Sequence, residues 1–581
     1  MMGTLNPTPL EQRVAAHLTI LYPDNDIHEL TRRCLEVMQI SVNTSSPEPH
    51  RNIWDQSDVM LITYADSLRK EGEAPLKTLN DFVKSRLSES ISVVHLLPFF
   101  PFSSDDGFSV MDYTTVNPSC GDWFDVQSIT QNFKVMGDLV INHCSSRSLW
   151  FENYKKGIDP GASYFFEAEP EWDLSQVVRP RTSPLLKEVR TVNGEKHVWC
   201  TFSHDQVDLD FTNPDLLLEI LSIIHLYLEQ GIRWFRLDAV AFLWKVPGTS
   251  SINLPETHEV IRLLRLLIEH HSPDAVIITE TNIPNSENLT YFGNANEAHL
   301  IYNFSLPPLL INTMVTGDCS HLKQWLMTMP PAQYGTTYLN FIASHDGVGL
   351  RPTEGLLSEW EIDNLIGTMQ RFGGRVSCRT DAGGNSKPYE INISLWNAMA
   401  GTHQSGPDGL QFARFICAAA VMMALEGVPA FYIHSLLATE NDVERIEHTG
   451  SFRSINRHVW DADELEQKLS SQTHHNKVFE AMQALLKVRR KQPAFHPNAT
   501  MYTLHIGDAL FAFWRQSINR SQSIFAVYNI TNEPQSFNLS QLNLVITDEW
   551  TDLVSGDVFD DRLAQVTLRP YQYLWLTNKP V

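Results

Sequence analysis

Over the first 55 residues, apolar positions recur every three or four places in an otherwise polar stretch. LEQRVAAHLTILY and ELTRRCLEVMQI each predict an amphipathic helix. From about residue 58 the period changes. Runs that are apolar at consecutive positions, as in strands covered on both faces, alternate with longer helical patterns. The runs are VMLITYA, SVVHLLPFF, KVMGDLVINH, GIRWFRLDAV, AVIITETNI, TTYLNFIASHDG and GVPAFYIHSLL. Helical patterns flank the fourth, PDLLLEILSIIHLYLEQ before it and THEVIRLLRLLIEHH after it. Such alternation predicts an α/β fold with a parallel sheet between helical layers. At least seven strands favour a closed (β/α)8 TIM barrel over an open sheet. No GxGxxG or GxxxxGK[ST] follows any of them, which removes the usual reason for a dinucleotide or P-loop fold.

The same reading divides the chain. Residues 1–57 are a helical N-terminal extension, and 58–144 with 213–496 form the barrel. Residues 145–212, rich in Pro, Trp and charge, interrupt the alternation as an inserted domain. Within the barrel, RFGGRVSCRTDAGGNSKPYEINIS (371–394) is Gly-rich and long enough for a functional loop. After residue 497 the helical patterns stop, and SIFAVYNITN and LAQVTLRPYQYLWLT read as a small antiparallel β domain, 497–581.

Composition narrows the class. Hydrophobic residues make up 43% and there are 14 Trp, as in a packed globular protein. A formal charge of −24 argues against a general nucleic-acid binder, though not against a small anionic substrate. Seven scattered cysteines without a CxxC suit reduced thiols in a cytoplasm. MMGTLNPTPLEQRVAAHL lacks the layout of a signal peptide. ICAAAVMMAL (416–425) is about half of the roughly 20 residues that span a bilayer, so a core helix is expected and no membrane association.

Charge collects where the predicted strands end. GIRWFRLDAVAFLW (231–244) buries Arg236 and Asp238, spaced i, i+2 and so on one side of a strand. Asp105 and Asp106 follow SVVHLLPFF, and Asn142 and His143 close VMGDLVINH, with Asp138 before them. Glu280 ends VIITE, and His345 and Asp346 end NFIASHD. In a barrel these ends face one mouth, so Asp238, Glu280 and Asp346 would converge there. A single carboxylate at a strand end is ordinarily a helix cap, but capping does not explain a set of five, one of them Glu. Glu269–His271 and His474–His475 lack metal-ligand spacing, read as surface features and imply no metal.

At these residues the chain resembles glycoside hydrolase family 13, the α-amylase superfamily. DLVINH, FRLDAVAF, TE at 279–280 and ASHDG match its four conserved regions. LITYADSL, GFSVMDYTTVNPSCGDW, the RPR triplet at 179–181, FSHDQVDLDF, YNFSLPPLL, SHDGVGLRP and SINRH are similar to the sucrose phosphorylase branch. The resemblance implies Asp238 as nucleophile, Glu280 as general acid/base and Asp346 as transition-state stabiliser. Arg236, His143, His345, Asp105 and Arg453 would bind the glucosyl unit, with Phe108 packed on it; Gln206 and Phe242 are further substrate-binding positions. Arg181, Phe202, Tyr389 and Glu390 would line the acceptor and phosphate side, with 371–394 as its loop.

The chemistry agrees with that implication. A retaining transfer needs one ionised carboxylate to attack and one acid to protonate the leaving oxygen. Arg236 is placed to keep Asp238 charged, and a desolvated pocket would keep Glu280 protonated. The expected activity is phosphorolysis of sucrose to α-glucose 1-phosphate. The expected partners are the sugar and inorganic phosphate as co-substrate, with no other cofactor; a homodimer stays open. The alternatives are phosphorylases of glucosylglycerol, glucosylglycerate or sucrose 6′-phosphate, then a hydrolase. A non-catalytic barrel would lack part of the triad that this chain keeps. Two departures separate it from ordinary sucrose phosphorylases, Glu390 for Gln and Phe242 for Tyr, and the extension is a third. A bare Glu390 would repel an acidic acceptor, which favours sucrose or glucosylglycerol over glucosylglycerate.

Overall fold

The computed structural model describes residues 8–41, 44–380, 386–542, 549–561 and 563–579. Eight parallel strands close into a barrel: β1 (Met60–Thr63), β2 (Val93–Leu96), β3 (Lys134–Leu139), β4 (Trp234–Leu237), β5 (Val276–Thr279), β6 (Leu300–Tyr302), β7 (Thr337–Asn340) and β8 (Val428–Tyr432). Only Lys134 among these residues is exposed, which is why the strands read as continuous apolar runs. Neighbours in the barrel are neighbours in sequence, and β8 returns to β1 through Met60–Ala430, Leu61–Phe431 and Ile62–Tyr432. Seven strands lie inside the predicted runs. The eighth, β6, is three residues long and too short to show a period.

The predicted helices form the shell. Helix Pro214–Glu229 starts with Pro at its first turn and an Asn213 side chain accepting from the Asp215 N–H. ICAAAVMMAL falls in helix Gln411–Ala424, buried from Arg414 onward. It is apolar all round because the barrel covers one side and the C-terminal sheet the other, where the Tyr528 hydroxyl donates to the Ala420 carbonyl at 3.1 Å. That sheet has six strands, with Gln535–Asn538 and Gln565–Leu568 as a separate pair. Among the described residues no helix is long and apolar enough to cross a membrane. All seven cysteines are unpaired and only Cys378 is exposed.

The extension folds into helices Pro9–Leu21 and Ile27–Val37, which pack on Pro255–His271 and Pro214–Glu229. Val14, Leu18 and Cys34 are completely buried there, and the Tyr22 hydroxyl donates to the Phe211 carbonyl at 3.0 Å. The stretch 145–212 carries a hairpin, Leu186–Thr191 with Gly194–Trp199, over its own small core of Phe166, Ala168 and Trp199. The Gly-rich stretch 371–394 is more regular than a loop. Arg375–Thr380 pairs antiparallel with Ser386–Asn392, which also pairs with Val348–Gly349; residues 381–385 lie outside the described ones. Two expected surface features are also structural. His475 is buried with Nδ1 against the Leu437 carbonyl, and Glu269 binds His299 and Arg265, which overcome its burial and lower it to about 2.

Candidate active site

The functional side chains gather at the C-terminal ends of the strands, as barrel geometry requires. β4 ends at Leu237, and Asp238 follows it. Ala239 then turns into the left-handed region (φ 50°), and its N–H donates to Glu280 Oε2 at 3.0 Å. Glu280 itself follows β5. Strained non-glycine backbone between two such carboxylates is the kind of conformation that surrounding structure must enforce.

Inside the barrel Arg236 sits opposite Asp138 of β3 in register. Its guanidinium serves three carboxylates, bonding Asp138 closely, Asp238 Oδ1 at 2.7 Å and Glu280 Oε2 at 3.9 Å. Asp138 in turn holds His95 Nε2 at 2.7 Å. Arg236 was expected to belong to Asp238; the structure makes Asp138 its second close partner. Burial and the carboxylates of Glu280, Asp138 and Asp346 therefore outweigh it and push Asp238 well above the ordinary range, and burial also raises Glu280. Both carboxyls are thus pushed toward holding a proton. The guanidinium, nearer to Asp238, favours leaving that proton on Glu280.

A second cluster holds Asp346, in the loop after β7. Burial would raise it, but the Arg453 and Arg457 guanidiniums hold it below the usual carboxylate range. Arg453 Nη1 lies 2.6 Å from Asp346 Oδ1, and its other edge makes a two-pronged contact with Glu390 at 3.0 and 2.7 Å. Arg457 bonds Asp106 Oδ2 at 2.6 Å and the His345 carbonyl at 2.9 Å. The His345 ring stacks on Phe108 at 5.1 Å, and burial holds its imidazole neutral.

The remaining predicted residues complete the cleft. Gln206 Nε2 donates to Asp105 Oδ2 at 3.2 Å and reaches His143 Nε2 at 3.3 Å; His143 Nε2 also lies 3.0 Å from the Phe108 carbonyl. Phe202 meets His143 at 5.1 Å and Phe242 edge-on at 5.6 Å. Arg181 packs over Phe202 and Tyr389. Of the fifteen predicted residues, Arg236 and Glu390 stand behind the lining and the others form it. Arg179 is outside it and half-buried. The lining also includes Thr281, Asn282, Ile283 and Arg351, which sequence reasoning missed. Arg351 falls in SHDGVGLRP, a stretch whose resemblance implies no role for it.

The charge is unevenly spread. Asp238, Glu280 and Asp346 face one part of the cleft, suited to a positive transition state. Arg181 and Arg351 are partly exposed cations, and among the described residues neither has a carboxylate closer than the 3.9 Å from Arg351 to Glu354. Two groups outside the lining, His225–Glu229–His271 and Glu188–Glu195–His197, bring possible metal ligands within 4.8 Å of one another.

Comparison with known proteins agrees with this geometry. Residues 88–348 match the alpha amylase catalytic domain. A glucosylglycerate phosphorylase of Spirochaeta thermophila is 41% identical over 90% of both chains. Another, from Allomeiothermus silvanus, is 39% identical over 99% of this chain and 100% of its own. Sucrose phosphorylases fall to 27–29%. The crystal structure of a sucrose 6F-phosphate phosphorylase from Thermoanaerobacter thermosaccharolyticum superposes with a TM-score of 0.71 at 24% identity, covering 82% of this chain and 94% of its own.

Proposed function

For a chain that belongs to the α-amylase family, among relatives that are phosphorylases, we propose phosphorolysis of glucosylglycerate to α-glucose 1-phosphate and glycerate. The observation that carries this reading is the drop in identity from 38–41% for glucosylglycerate phosphorylases to 27–29% for sucrose phosphorylases. The expectation of sucrose comes from the resemblance to the sucrose phosphorylase branch, with repulsion of an acidic acceptor by Glu390 as a secondary argument. That argument fails because Glu390 spends both oxygens on Arg453 and is almost completely buried. What faces the acceptor instead includes Arg181 and Arg351, and both the leaving glycerate and the incoming phosphate are anions.

In this reading Asp238 attacks the anomeric carbon while Glu280 gives its proton to the leaving glycerate oxygen. The result is a β-glucosyl ester on Asp238. Asp346, kept ionised by Arg453 and Arg457, stabilises the oxocarbenium-like transition state. Phosphate, drawn by Arg181, then attacks the same carbon from the opposite face. Glu280, now a carboxylate, takes the phosphate proton, and the retained α-anomer leaves. Phe108 and His345 pack against the glucosyl ring, and Asp105, His143 and Gln206 bind its hydroxyls.

Purified protein with phosphate and each of glucosylglycerate, glucosylglycerol, sucrose and sucrose 6′-phosphate tests this directly. Glucose 1-phosphate forms fastest from glucosylglycerate. Faster release from sucrose would restore the earlier expectation, and glucose release indifferent to phosphate would make the protein a hydrolase.

A further inference from the structure

Two polar side chains that line the cleft each bury one atom with no hydrogen bond among the described residues. Arg351 opens the short turn Arg351–Thr353, and its Nε is buried without a hydrogen bond. Among the described residues its one nearby carboxylate, Glu354, stands 3.9 Å away and is shared with Arg379 at 3.4 Å. Asn282, two residues past Glu280, has Oδ1 equally buried and unbonded. Gly349 brings the two walls together. The Asn282 amide lies against it, where a Cβ would stand 2.6 Å from Oδ1, and Arg351 follows two residues later. Buried donors and acceptors are normally satisfied, so an orphan cation beside an orphan acceptor in a catalytic cleft points to a ligand carrying the complement of both.

We propose that Arg351 and Asn282 form the subsite for the leaving group. Arg351 pairs with the glycerate carboxylate, and Asn282 Oδ1 accepts from its free hydroxyl. This assignment rests on the glucosylglycerate reading. It divides the cations of the cleft. Arg181, carried by the inserted stretch over Phe202 and Tyr389, is left for phosphate. Arg351 stands beside a paired strand, Val348–Gly349, and the Leu350 N–H donates to the Tyr389 carbonyl at 3.0 Å, so it is held on a firm wall. A planar guanidinium distinguishes a carboxylate from a hydroxymethyl group in a way that shape alone does not.

The test runs the full-length enzyme in the synthetic direction, with α-glucose 1-phosphate and either glycerate or glycerol, which differ only in the carboxylate. In Arg351→Gln the ratio of kcat/KM for glycerate to that for glycerol falls about 100-fold or more, mainly through the KM for glycerate. Arg351→Lys recovers about tenfold of that loss, because charge returns without the planar fork. Asn282→Ala weakens both acceptors together, since both offer the hydroxyl. An equal loss on glycerate and glycerol in Arg351→Gln would mean a structural role and overturn the proposal. So would a rise in the KM for phosphate, which would assign Arg351 to the second substrate. Wild-type enzyme that glucosylates glycerol but not glycerate sinks the underlying reading, whereas glycerate transfer unaffected by Arg351→Gln sinks the subsite alone.

Discussion

Asp238 and Asp346 are the same residue type in one cleft, and burial pushes both toward the neutral form. Their neighbours separate them: Asp238 shares one arginine with Asp138 and Glu280, while Asp346 has two arginines and a histidine around it. The signs of their stability terms are therefore opposite. A carboxyl raised in the folded state contributes stability that is lost as pH rises, so ionised Asp238 is a cost at neutral pH. A depressed one contributes stability that is lost only as pH falls through its folded value, so ionised Asp346 stabilises there. Asp238→Asn should abolish turnover, by about 10⁴-fold or more, with a Tm equal to or above the wild type. Asp346→Asn should lose about 1–3 kcal/mol, because Arg453 and Arg457 give up a charge-assisted partner. Thermal melts of the three proteins between pH 5 and 8 check this, and the Asp346→Asn deficit should stay constant across that window. A lower Tm in Asp238→Asn would show that Arg236 depends on it more than on Asp138. The raised Glu280 has its own signature: phosphorolysis falls on the alkaline side as its proton leaves. Glu280→Gln should keep turnover of α-glucosyl fluoride, whose leaving group needs no acid, without that alkaline fall. A fall of equal size in the variant would place it on another group.

The strand ends were legible because a barrel strand is apolar throughout, and a charge at its end has no packing role. The loops were less so. Arg351 and Asn282 carry no periodic signal, and their importance comes from orphaned atoms that only coordinates reveal. Glu390 shows the opposite error. Its charge was visible, but its partner Arg453 comes from a different element, 63 residues away, across the hairpin Arg375–Thr380/Ser386–Asn392. No local pattern encodes that pairing, so the sequence suggested a free carboxylate facing the acceptor. The structure makes the hairpin a clamp that aligns Arg453 on Asp346. Glu390→Gln should then lower kcat/KM about 10- to 100-fold, as for one lost charge-assisted hydrogen bond, with no change in preference between glycerate and fructose. Kinetics on both acceptors decide it: a marked shift toward the anionic acceptor would put Glu390 back in the acceptor subsite.

At the scale of the molecule, periodicity predicted the helices of the extension but not their destination, because an amphipathic face says that it is covered and not by what. The structure supplies the cover. Leu18 and Val14 are fully buried against the barrel shell, and Tyr22 closes the joint with its bond to Phe211, at the end of the inserted stretch, and an aromatic contact with Trp244, just beyond β4. The extension thus packs on the helical shell and reaches Trp244, in the segment that follows Asp238. Removing it bares the apolar sides of helices Pro214–Glu229 and Pro255–His271 to water, so the extension acts as part of the core. Leu18→Ala should cost about 2–5 kcal/mol as a core truncation, and Tyr22→Phe about 1–3 kcal/mol, because a buried carbonyl loses its donor. Both variants should keep wild-type kcat per folded molecule, since neither residue reaches the cleft. Deletion of residues 1–57 should go further, lowering both Tm and soluble yield. Denaturant melts paired with active-site titration separate these outcomes: a deletion variant with unchanged Tm would show that the barrel is complete without the extension.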